Sequence, residues 1–386
     1  MTAHPNPLQF AAGLTRGAPF PSRRTEAWKY SDLARVLREL PHESPASEAS
    51  GQGPFACLAD RELVFVNGRE LGATAPLVLR QAQDEGRSGA ALTQAPDGGA
   101  AFSSRPHPEP VEGRGRATAL IGSLAVRFIS DATGTAHESR LRLHVPANAI
   151  ATLLESYEGR GDAYFANTLI EITLEPGARL ERIVLAHEPE SAVSISTAEV
   201  RLAPGAAFAQ TVLTSGATLQ RLETHVRHPG ANAAVRLDGV YVLAGARHAD
   251  LTTAVEHEGH TGTTTQLTKG AVRDVSRGVF QGRITVREGA DGTDARMGHH
   301  ALILSDRAEV DAKPELEIWA DDVSCAHGNT VGSLDQDALF YARARGMDEA
   351  TAKALLTEAF LGEVIDRMEH DGAREVARGW LQERLT

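Results

Sequence analysis

Hydrophobic and polar positions divide the chain into a helical start, a long β-rich middle and a helical end. Over residues 1–40, Glu26, Ala27 and Trp28, then Leu33, Ala34, Val36 and Leu37, fall at helical spacing behind the Pro21–Ser22 breaker and predict helix. A Pro/Ser/Gly linker follows from Pro41 to Pro54, and Leu63-Val64-Phe65-Val66 before Asn67-Gly68 reads as a strand entering a tight turn. From Leu120 to about Val331, short β-favouring runs alternate with glycine turns and no long helical stripe appears. The 3.6-residue period then returns. Asp335 is placed to cap a helix carrying Ala338, Leu339 and Ala342, which Gly346 ends; Asp348 caps a second with Ala352, Leu355, Leu356, Ala359, Phe360 and Val364. Residues 371–385 add an amphipathic tail with Val376, Trp380 and Leu381. The divisions predicted are 1–60, 61–119, 120–331 and 332–386.

Within the β-rich zone one theme recurs in ITLEPGARLERIVL, VRLAPGAAFAQTVL and HVRHPGANAAVRL, each with β-formers around a Pro-Gly-Ala turn at Gly177, Gly205 or Gly230. The spacing, roughly 25–28 residues, lies in the range of stacked repeats. A parallel β-helix buries the inward face of each coil on its neighbours; a β-sandwich of hairpins has a similar strand count. The pattern leaves both open.

Residues 80–116 hold Gly, Pro, Ser and charge with hardly a large apolar side chain. Such a segment cannot bury enough surface to offset the entropy of ordering, and reads as a solvated insertion. The whole chain is otherwise composed like a globular protein, 42% hydrophobic and 23% charged. Its net charge of −12 predicts neither nucleic acid nor an anionic membrane as partner. MTAHPNPLQFAAGLTRG lacks the basic start and apolar run of a secretory signal, and no stretch approaches the ~20 apolar residues that cross a bilayer. Two distant cysteines, Cys57 and Cys325, do not make a disulfide framework. A reducing, cytoplasmic setting is expected.

The most suggestive chemistry lies in Asp321-Asp322-Val323-Ser324-Cys325-Ala326-His327-Gly328. On a strand, Cys325 and His327 project to one face. A thiolate beside an imidazole suits iron or zinc; it equally suits a nucleophile with its base, or a buried cysteine next to a turn histidine. Iron–sulfur clusters usually take four ligands, mostly thiolates. With only one further cysteine, the chain cannot supply a four-cysteine site alone, so any cluster touching this pair draws its remaining ligands from another chain. Glu256-His257-Glu258-Gly259-His260 lacks the spacing of a helical zinc site and reads as surface or turn histidines. His299 and His300 are adjacent and would face opposite sides of a strand. Asp321 and Asp322 read as solvated turn acids. Neither a GxxxxGK[ST] phosphate loop nor a GxSxG elbow is present.

The most specific stretches are KPELEIWADDVSCAHG (Lys313 to Gly328) and LFYARARG (Leu339 to Gly346), within a long run from VFQGRITVREG onward. RRTEAWKYSDL (Arg23 to Leu33) and VFVNGR (Val64 to Arg69) add to them. In these the chain resembles the SufB/SufD family of iron–sulfur cluster assembly scaffolds, and its poverty in cysteine resembles the SufD type. The resemblance implies a mainly β fold: a right-handed parallel β-helix core flanked by N-terminal and C-terminal helical regions. It implies a non-catalytic scaffold that pairs with a SufB-like subunit through the β-helices and docks a SufC-like ATPase through the C-terminal region. Cys325 and His327 fall on the family's interface cysteine and histidine, and Leu339, Phe340, Tyr341, Arg345 and Phe360 on the region that meets SufC. No cofactor is then held stably by this chain alone; an iron–sulfur cluster belongs at the interface with SufB. The rival expectation is a cysteine-dependent enzyme using Cys325 and His327. Two departures stand out: the 80–116 insertion, and AHGNT (Ala326 to Thr330) where the family usually reads SHGAT. Removal of 335–386 is expected to cost SufC binding while the β-core survives.

Overall fold

Alternation of Val, Ile, Leu and Thr with polar residues builds strands of 8 to 11 residues from Gly122 to Gly332. These are part of a computed structural model that describes residues 20–48, 51–71 and 118–385; the 80–116 insertion and the first nineteen residues of the predicted helical start lie outside the described residues. Each strand pairs in parallel with the strand two further along the chain. Ala207–Thr214, for example, pairs with Ala234–Leu243, which pairs with Thr263–Val272. Successive strands therefore alternate between two sheets, one of ten strands and one of eight. Partner residues are about one coil apart: 27 residues for Ala207 and Ala234, 30 for Asp294 and Ser324. The result is a parallel β-solenoid of about seven turns over 122–332, which the family resemblance implied and which decides between the two architectures that the repeat left open. Among the strands of the described residues, Arg61–Val66 and Arg69–Leu71 alone pair antiparallel, at the first end; a single antiparallel bridge joins Ala217 to His248.

One corner of six successive coils turns on a residue with positive φ: Asn148, Gly177, Gly205, Asn232, Thr261 and Gly292. Each donates its backbone N–H to a carbonyl of the next coil, Gly177 to Pro204, Gly205 to Ala231 and Asn232 to His260. Gly177 and Gly205 are thus the turn residues that the repeat predicts. Gly230 is not: Asn232 makes that corner, since Asn tolerates the left-handed region. Gly230 serves close approach instead, because a Cβ there would meet the Pro204 nitrogen at 2.3 Å.

The inward faces form the main core, with Phe65, Phe128 and Tyr157 stacked at 5.1 Å steps up one column. Polar groups are threaded through it. Arg182 donates twice to Glu155 (2.9 and 2.7 Å) and to Gln210 (2.6 Å), while Tyr157 donates to Glu155 (2.6 Å), all buried. Deleting Arg182 or Glu155 would leave the other charge buried and uncompensated, at a cost of about 3–5 kcal/mol.

Both outer faces are partly covered. Helices Gln336–Ala344, Glu349–Ile365 and Asp371–Leu385 follow the solenoid, with Asp335 and Asp348 accepting backbone N–H bonds at the first two N-termini as predicted. Leu361, Val364, Ile365, Met368, Trp380 and Leu381 pack on Leu154, Ile183, Leu185, Leu213 and Val240 of the ten-stranded sheet. The truncation of 335–386 is therefore not the clean separation expected from the sequence, because it strips an apolar sheet face of its cover. On the eight-stranded sheet, Trp28, Leu33 and Leu37 pack against Phe165, Val193, Ile195 and Leu219. Among residues 20–48, helix is limited to a three-residue turn at Glu26–Trp28 and four residues at Leu33–Val36. The rest of this segment is a strap held by side chains. Trp28 lies under the Arg221 guanidinium (4.4 Å), Ser31 donates to Asp250, and Glu26 accepts from Lys313 (2.9 Å).

His257, read from sequence as a surface or turn histidine, is fully buried edge-on to His228, ring centroids 3.8 Å apart. Strand alternation in His248–His257 places it inward with Ala249, Leu251 and Val255. Burial pulls His228 down to about 4; burial, with His228 beside it, pulls His257 down to about 3. Unfolded, both titrate near ~6.5. Above that pH neither state binds these protons and the stability is complete. Below it only the unfolded chain takes them up, so stability falls by about 1.4 kcal/mol per pH unit for each histidine until the folded values are reached. Urea denaturation between pH 7 and 5 should show this decline, and it should be shallower in a His228→Val/His257→Val double variant, Val being the residue one coil on at Val286. An equal slope in both proteins would contradict the assignment.

Candidate functional site at the open end

Glu309–Ile318 and Val323–Gly332 end the eight- and ten-stranded sheets. Each pairs on one side, with Arg277–Val286 and Thr293–Ile303 respectively, and no strand lies on the other among the described residues. Exposed apolar side chains gather here, including Ile318, Val331 and Trp319, the last 64% exposed.

Register fixes where the candidate pair points. Cys325 lies beside Ala295 and His327 beside Met297, and both neighbours are buried in the interior column. Cys325 and His327 therefore share the inner face of the last coil, brought together by strand alternation as the sequence predicts. Cys325 is half-buried against the core, while His327 is exposed. Burial pushes the Cys325 thiol up and the Asp294 carboxylate adds to this, against a hydrogen bond from the Ala295 backbone. The sulfur is accordingly held as a thiol rather than as the thiolate that attacks or binds metal. Among the described residues no hydrogen bond joins Cys325 to His327 and no group of three His, Cys, Asp or Glu side chains is gathered as metal ligands would be. Cys57 is exposed just before the strand that opens the solenoid, at the other end from Cys325.

Asn329, two residues beyond His327 on the same face, was not singled out as a site residue by sequence. Its Oδ1 is 2.7 Å from His299 Nδ1, whose Nε2 is 2.9 Å from the Tyr241 hydroxyl. Its signal in the sequence is the departure from SHGAT. His299 and His300 face opposite ways as expected: His299 is buried, and His300 bonds Thr330 at 2.7 Å on the outside. Asp321 and Asp322 are exposed in the turn between the last two strands.

The C-terminal candidates divide. Phe340 (74% exposed) and Tyr341 (61%) stand out from Gln336–Ala344, and Arg345 donates to the Tyr341 hydroxyl at 2.8 Å and lies 5.0 Å over its ring. Leu355 on the next helix is exposed too. Leu339 is buried, and Phe360 is half-buried with the Lys269 ammonium 4.4 Å over its ring. These two hold the helices in place. No helix among the described residues is long and apolar enough to cross a membrane.

Residues 128–360 match the family described as SUF system FeS cluster assembly, SufBD core domain. The chain is 30% identical over 385 residues to the iron–sulfur cluster assembly protein SufD of Escherichia coli, covering 95% of this chain and 89% of that one. It is 27% identical to an iron–sulfur cluster assembly SufBD family protein of Synechocystis, with 94% and 87% covered. The similarity to SufD of Bacillus subtilis is 30% over 136 residues, 35% of this chain and 31% of that one.

The raised thiol gives a direct check. In a Cys57→Ser background, iodoacetamide should alkylate Cys325 slowly at pH 7, with a rate that climbs only above the ordinary cysteine range near ~8.5. Rapid alkylation at pH 7 would mean an activated thiolate and would favour nucleophilic chemistry.

Proposed function

The chain belongs to the SufBD family of iron–sulfur cluster assembly proteins, and from that premise we propose that it is a non-catalytic, cytoplasmic scaffold subunit of the SufD type. It pairs with a SufB-like subunit at the open end and docks a SufC-like ATPase on the C-terminal helices. The observation that carries this reading is the uncapped last coil, with Cys325 and His327 on its inner face. Unpaired strand edges are templates for strand addition by another chain. A second chain seated there would both satisfy the edges and bring the ligands that this chain lacks. The cluster is then cargo formed between two subunits, with Cys325 deprotonated by the metal it meets. For the ATPase, Phe340, Tyr341 and Leu355 offer an apolar, aromatic patch with Arg345 at its rim, the composition that dominates binding at interfaces. The raised Cys325 thiol and its lack of a bond to His327 weigh against the cysteine-dependent enzyme.

Co-expression with SufB-like and SufC-like partners tests both surfaces. Cys325→Ala and His327→Ala should fold and assemble yet yield complexes depleted in iron and sulfide. Phe340→Ala/Tyr341→Ala should weaken SufC capture at least tenfold, about 1.4 kcal/mol, and leave SufB pairing intact. Full iron and sulfide in both of the first variants would return the pair to a structural role; undiminished SufC capture by the second would remove the docking patch.

A further inference from the structure

We propose that Asn329 is a positioned hydrogen-bond donor of the open-end site, its carboxamide turned by a buried Tyr241–His299 relay so that its N–H groups face anionic sulfur held beside Cys325 and His327. The inference rests on the reading of that end as a cluster interface. The relay itself rests on geometry within this chain.

Tyr241, Phe280 and His299 are all fully buried. Tyr241 reaches His299 across two glycines: a Cβ at Gly270 would sit 1.9 Å from its ring, and one at Gly278 2.5 Å. The imidazole stacks on Phe280, centroids 4.8 Å apart and planes 2° from parallel. Ring position is therefore fixed before any hydrogen bond is counted. The Tyr241 hydroxyl, kept protonated by burial, has His299 Nε2 as its partner at 2.9 Å. If Nε2 carried the proton, the buried hydroxyl hydrogen would have no acceptor, which is costly. So Tyr241 donates and Nε2 accepts. His299 is held neutral, drawn down to about 4 chiefly by burial, and a neutral imidazole has one N–H. That proton sits on Nδ1 and is donated to Asn329 Oδ1 at 2.7 Å.

With its oxygen committed to the interior, the Asn329 carboxamide turns its NH2 away from His299. Asn329 is exposed on the last strand, on the inner face beside His327, and its NH2 has no partner among the described residues. Two donors therefore stand where a partner's thiolates or a bridging sulfide would come against Cys325. Hydrogen bonds to cluster sulfurs favour the more negative, reduced state and raise the potential. An alanine at this position, as in SHGAT, offers no such donor.

Two readouts test this, one on the isolated full chain and one on the assembled complex. Ring-nitrogen NMR of the isolated chain should show His299 as the Nδ1–H tautomer, with Tyr241→Phe releasing it to a mixture. Observation of the Nε2–H tautomer in the unmodified chain would overturn the relay. In complexes with SufB-like and SufC-like partners, Asn329→Ala should move the cluster's reduction potential to a more negative value. Asn329→Asp retains the acceptor for His299 but has no donors, so a shift at least as large is expected; a purely structural Asn329 would be rescued by Asp. A cluster-loaded complex whose potential is unmoved by both substitutions overturns the donor role alone. An unmodified, fully assembled complex that holds no cluster overturns the cluster-interface reading on which the donor role depends.

Discussion

The parallel backbone ladder governs this molecule. In a parallel solenoid, each coil satisfies the outward N–H and C=O groups of the coil before it, and nothing local can replace that partner. Over 122–332, a coil period that ranges from 26 residues (Val193 to Leu219) to 32 (Arg277 to Glu309) keeps like positions in register, so the same columns are inward in successive coils. This makes a continuous core of stacked aliphatic and aromatic side chains, and also lines buried polar groups up with partners one coil away, as with Arg182, Glu155 and Gln210. The ladder ends at Glu309–Ile318 and Val323–Gly332. Among the described residues, no further strand meets that demand where Cys325 and His327 lie.

Other surfaces are managed differently. The first end carries a short antiparallel strand, Arg69–Leu71, across its edge. The ten-stranded sheet is roofed by the last two helices and the eight-stranded sheet is crossed by the strap around Trp28. That strap lies over buried charge: Arg221, with Asp250 and Glu223 on its guanidinium and the Trp28 ring against its face. Glu26 extends it to Lys313, on the last strand of that sheet. Two stretches nearly three hundred residues apart are thereby joined, and the strap reaches the edge proposed to meet a partner.

Much of this was legible in the sequence. Alternation and turn chemistry indicated the β-rich middle, the helix caps at Asp335 and Asp348 were readable from spacing, and strand periodicity put Cys325 and His327 on one face, while their assignment as an interface pair came from the family resemblance. Three features were hidden for physical reasons. The repeat fades from the sequence after Gly205 because its corner passes from glycine to Asn232 and Thr261, which hold the same left-handed backbone. The strap imitated a helix because burial of Trp28 and Leu33 needs an apolar spacing that an extended segment with two short turns also provides. His257 and Asn329 draw their surroundings from the stacked coils: His228 lies 29 residues before His257 and His299 lies 30 before Asn329, separations that no local pattern reports.

On the proposed pairing, a second chain completes the edge left by the last two strands. Amide hydrogen exchange resolved to individual residues over 309–332 tests it most directly. In the isolated chain, amides turned toward the preceding coil should be protected and those turned outward should exchange freely; on assembly with a SufB-like subunit the outward set should become protected. Outward amides already protected in the isolated chain, or left unprotected in an intact complex, would contradict it.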